Sequence, residues 1–147
     1  MQNGIILVAI AAGVLAFVAV VVGFRTNATL KRNKVGTTIA SLPALVMLTL
    51  FYSLVVHMRL SLEAWPTSIG EGGFPAPLAI HAHLATSNFA ILILITFFIW
   101  PGIFLICFFV RRWRGFLFYL GVYVLTCLLS FGIMLLAPSQ FLNWWWD

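Results

Sequence analysis

A chain of 147 residues with 63% hydrophobic, 16% aromatic and only 7% charged residues is far from a soluble domain, in which about a quarter of residues are charged. The composition excludes a water-soluble globular enzyme, and it turns the net charge of +5 from a sign of nucleic-acid binding into a matter of membrane topology, because the basic residues fall between apolar runs. A membrane helix with its turn uses about 25 to 35 residues, so the chain has room for about four helices in a single membrane domain, residues 1–147.

Residues 4–24 form the first predicted span, an uninterrupted apolar run of 21 residues. At about 1.5 Å per residue it crosses a hydrocarbon layer of roughly 30 Å. A signal peptide would start with basic residues and carry a shorter apolar core, whereas this chain starts Met1-Gln2-Asn3 and has its charge after the run. Ala9, Gly13, Ala12 and Ala16 supply two small-xxx-small pairs that admit a close helix neighbour.

Residues 25–34 hold four of the eight basic residues and no acid, which places them in the cytoplasm and the N-terminus outside. On that side the glycosylation pattern Asn27-Ala28-Thr29 is a chance match. The second span is expected at 39–58, with Pro43 tolerated near its start, where the first turn has free N–H groups. Thr49, Ser53 and His57 recur every four residues on one face, and that stripe is expected to point into the bundle.

Residues 57–83 hold all three histidines and two of the three acidic residues. Trp65-Pro66, Gly70, Gly72-Gly73, Pro75 and Pro77 break any continuous helix there. Loop 59–77 is therefore expected on the outer side, ordered or lying at the interface, with Trp65 as an anchor. The third span, 78–110, is too long for one straight crossing and is expected to bend at Trp100-Pro101-Gly102. Arg111, Arg112 and Arg114 form a second cytoplasmic cluster at 111–114, and the two clusters agree on one topology with both termini outside. A fourth span at 115–137 carries Tyr119, Tyr123, Thr126 and Ser130 on a helical stripe. The final Trp144-Trp145-Trp146 reads as an interfacial anchor beside the histidine-bearing loop. Cys107 and Cys127 lie inside apolar runs, where thiols pack as small apolar groups.

The fold class that results is an all-α integral membrane protein, a four-helix transmembrane bundle. No catalytic signature is present: there is no HExxH or CxxCH, and Ser61, Ser68 and Ser87 lack a GxSxG context. The first functional reading is a small non-enzymatic subunit or packing partner, with the bilayer, other membrane subunits or a second copy as its partners and no nucleic acid. A second makes His57 and His81, at similar depth in an antiparallel hairpin, the ligands of haem b or a divalent metal. His83 is a weaker third ligand, and Glu63 or Glu71 could assist. Imidazoles about 4 to 5 Å apart would share a metal ion, and a separation of about 8 to 10 Å would suit two axial haem ligands. A third reading is a binding protein or enzyme for a small or lipid-like molecule, held in an outward-facing polar pocket of Ser53, Asn88, Thr126 and Ser130.

Overall fold

The computed structural model describes residues 21, 33–66 and 74–147. The first predicted span except residue 21, most of the first basic segment, Glu71 and the glycines of the loop lie outside the described residues. Among those described, every regular element is helical: α1 (Lys34–Leu62), α2 (Ala76–Leu94), a π-helical turn (Ile95–Ile99), α3 (Trp100–Phe109), a 3-10 segment (Arg111–Phe116), α4 (Leu117–Met134) and α5 (Ser139–Trp146). Three continuous stretches, Lys34–Leu62, Ala76–Phe109 and Arg111–Met134, are long and apolar enough to cross a membrane.

Helix α1 begins five residues before the expected boundary because Asn33 caps it, its Oδ1 accepting from the Val35 amide at 3.1 Å. Pro43 is consequently in the helix interior, not in the first turn, and there it removes the amide that would bond the carbonyl four residues back. The helix continues through it on packing, with Ala44 fully buried next to it. At the other end Glu63 turns left-handed (φ 54), the conformation that usually ends a helix on glycine. Arg59 holds this turn: Nη1 donates to the Glu63 carbonyl at 2.9 Å while the guanidinium lies 5.7 Å from the Trp65 ring centroid.

The break in the long third span is one turn earlier than expected. Pro101 cannot donate to the carbonyl of residue 97 and its ring crowds that turn. The backbone accommodates this by widening over Ile95–Ile99, and the Trp100 amide reaches back five residues to the Ile95 carbonyl.

Helix α1 is the centre, flanked by α2 and α4. Its buried residues Met47, Phe51, Leu54, Val55 and Met58 keep helical spacing, and Leu78, Ala82 and Ala85 of α2 meet them, the two alanines admitting close approach. A second core joins Trp100, Phe104 and Cys107 of α3 to Leu117 and Val124 of α4. The polar stripe of α4 ties these layers. Asn33 N–H donates to Tyr119 Oη at 3.3 Å, Ser130 Oγ to the Ala44 carbonyl at 3.3 Å, and from α1 Tyr52 Oη to the Ile133 carbonyl at 2.7 Å. Because residue numbers rise together along these contacts, α1 and α4 run parallel. Thr96 spends its one hydroxyl proton on the Leu92 carbonyl at 2.7 Å, so Tyr123 Oη is the donor in their 2.8 Å contact.

Residues 139–146 form α5, which folds back under the end of α1 with Phe141 fully buried. Phe141 meets Phe51 edge-on at 5.2 Å and Trp65 at 6.1 Å, and Phe74 meets Trp144 at 5.8 Å. The molecule thus has two distinct ends. The basic end carries Lys34, Arg111, Arg112 and Arg114; the histidine end carries His57, His81, Trp65 and α5.

Candidate functional site

Two helices position the site. His57 stands six residues from the C-terminal limit of α1 reckoned from Glu63, and His81 five residues after the first residue of α2, so the antiparallel hairpin sets them side by side. Their Nδ1 atoms are 2.9 Å apart, with ring centroids at 5.2 Å and planes inclined by 38°. Both residues are half-buried. On the far side of the His81 ring, Nε2 is 3.1 Å from Ser53 Oγ, and Ser53 Oγ is 3.0 Å from the Leu50 carbonyl of its own helix.

The proton count orders this chain. A carbonyl only accepts, so the single Ser53 hydroxyl proton goes to Leu50 and Ser53 Oγ is left as an acceptor. His81 must then donate from Nε2, which leaves its Nδ1 as a lone pair, and His57 must donate from Nδ1. All three contacts are satisfied by this one arrangement. The remaining lone pair of the chain is on His57 Nε2.

Of the stripe Thr49, Ser53 and His57, His57 is half-buried against the neighbouring helix. Thr49 and Ser53 are exposed, because the adjacent apolar face of α1 takes the core, and back-bonding to helix carbonyls (Thr49 Oγ1 to Leu45 at 2.9 Å) removes most of the cost of that exposure. His83 is exposed on a different face of α2 and takes no part in the pair.

The pair as placed does not fit haem. Axial imidazoles on opposite faces of a porphyrin hold their bonded nitrogens about 4 Å apart with the iron between them, whereas the facing nitrogens here are in direct hydrogen-bond contact at 2.9 Å. For a shared ion the rings are near enough, but two nitrogens on one tetrahedral ion stand about 3.3 Å apart and further ligands complete the set. Here the facing nitrogens are in hydrogen-bond contact at 2.9 Å, and no group of three His, Cys, Asp or Glu side chains converges among the described residues.

The four pocket candidates each have their own surroundings. Ser53 belongs to the histidine chain, Thr126 Oγ1 bonds the Val122 and Tyr123 carbonyls of its own helix at 2.9 Å, and Ser130 is buried against Ala44. Asn88 is half-buried on α2. What the sequence did not reveal is the aromatic floor of this end, in which Phe51 is packed by Phe141 and, at 5.1 Å, by Trp145, and Phe89 by Trp145 and Trp146, both at 5.7 Å. Its only sequence signal was the aromatic density of the tail, since spacing within 139–146 is too short for a periodicity reading. Comparison with known protein families, with characterised proteins and with solved structures gives no match.

Proposed function

We propose that this protein is a non-enzymatic subunit of a membrane assembly, a four-span bundle in which residues 4–24 add the first helix and the histidine pair locks the second span to the third. The basic end lies in the cytoplasm in this reading, and the histidine end with both termini lies outside; the shared end of Lys34 and the three arginines supports that orientation. The observation that carries the reading is the internal use of the polar groups. Among the described residues no buried side-chain nitrogen or oxygen lacks a hydrogen-bond partner. Hydroxyls that would grip a substrate are bonded to helix carbonyls or to neighbouring helices, whereas large apolar side chains such as Ile80, Leu84, Phe98 and Leu136 are turned outward. A surface of this kind suits lipid and packed helices, not chemistry on a polar substrate.

The test is purification in mild detergent from haem-replete cells. The expected preparation is colourless, binds metal well below one equivalent, and runs as a particle larger than one chain and its micelle. A Soret band lost on His57→Ala, or a strictly monomeric particle in every mild detergent, overturns the reading.

A further inference from the structure

The 3-10 segment at the basic end has a consequence for lipid recognition. With three residues per turn, side chains at i and i+3 eclipse, so Arg111 lies over Arg114, Trp113 lies over Phe116, and Arg112 occupies the third side. Two sides are cationic and one is aromatic. Arg111 and Arg112 are exposed, as are Trp113 (46%) and Phe116 (59%). Arg114 is the fixed member, half-buried with its Nε donating to the Phe108 carbonyl at 3.2 Å, which anchors the turn to the end of α3. Lys34 adds a further cation at the same end, through the contact of Asn33 with Tyr119. Carboxylates do not compensate this charge: the acids among the described residues, Glu63 and Asp147, follow the far end of α1 and α5.

We propose that this turn is a binding site for the phosphate headgroup of an anionic phospholipid. Trp113 and Phe116 set it at the interface, and Arg111 and Arg112 engage the headgroup. Aromatic rings prefer the headgroup level, which holds the turn at the depth where phosphates lie. Guanidinium groups remain charged at any physiological pH, and it is this charge close to the membrane surface that draws the anionic headgroup. An anionic lipid carries net charge that a zwitterionic one lacks, so the site discriminates between them.

The full chain is reconstituted into vesicles of mixed phosphatidylcholine and phosphatidylglycerol, extracted with its surrounding lipid by a polymer, and the retained lipid is quantified by mass spectrometry. Phosphatidylglycerol is expected to be enriched over its share in the vesicle. Arg111→Gln with Arg112→Gln is expected to lower that enrichment by roughly fivefold for each arginine removed. Arg111→Lys with Arg112→Lys, which keeps the charge, should retain most of it, and this pair separates lost binding from lost folding. Excess inorganic phosphate should leave the enrichment in place. Bulk composition around the wild-type chain, equal enrichment around the Gln variant, loss in the Lys variant of a folded chain, or displacement by inorganic phosphate each overturns the proposal.

Discussion

At the scale of single residues, the histidine pair joins two spans through two imidazole side chains. Neutral His57 donates from Nδ1 to His81 Nδ1, and His81 donates from Nε2 to Ser53 Oγ. We predict that a double-mutant cycle of His57→Ala and His81→Ala shows a coupling of about 1 kcal/mol in detergent stability, the scale of interhelical hydrogen bonds in membrane proteins. Imidazole nitrogen-15 spectra of the neutral form should place the proton of His57 on Nδ1 and that of His81 on Nε2. Additive stabilities together with one common tautomer would show that the pair is merely adjacent.

At the scale of elements, α5 is the feature with most influence on the histidine end. It is a short helix with few bonds of its own, and isolated helices of this length are not stable in water. Its order comes from docking Phe141 against Phe51 and Trp65, and Trp145 against Phe51 and Phe89. Truncation by Phe141→Ala is expected to cost about 3 kcal/mol, the usual loss for a buried phenyl ring. It should also shift tryptophan emission to the red as Trp144 and Trp145 leave their neighbours. Unchanged emission and an unchanged melting temperature would mean that α5 is held by something else. The π-helical turn before Pro101 is the other irregular element, and its cause is local: one missing amide relocates the distortion to the preceding turn.

At the scale of the whole molecule, the parallel course of α1 and α4, with α2 and α3 antiparallel to both, separates a cationic end from a histidine and tryptophan end. In the topology proposed above these ends lie on opposite sides of the bilayer. Cysteines introduced by Arg112→Cys and, separately, Gln140→Cys, in a chain with Cys107→Ala and Cys127→Ala, should therefore react with an impermeant maleimide from opposite faces of sealed vesicles. Reaction of both from one face would reject the topology. A close approach also holds the cationic end together: a Cβ on Gly36 would come within 2.6 Å of the Tyr119 ring, so glycine there lets α1 lie against α4.

Composition and run length alone determined that this is a helical membrane protein, because 7% charged residues leave no soluble alternative and hydrocarbon thickness sets the length of each run. Helical spacing likewise brought out the α4 stripe, and the hairpin geometry singled out His57 and His81 as neighbours at one depth. Only the tertiary structure decided the rest. It showed that Asn33 moves the start of α1 back and leaves Pro43 inside the helix, and that Thr49 and Ser53 lie on an exposed face. It also folded the tryptophan tail into a docked helix. These outcomes depend on which of several acceptable partners a side chain finds, and that is a property of the packed whole. The separation of the two imidazoles was the quantity the sequence left open between a metal spacing and a haem spacing. Packing of small Ala82 and Ala85 against α1 brings the helices close enough for a direct hydrogen bond between the rings.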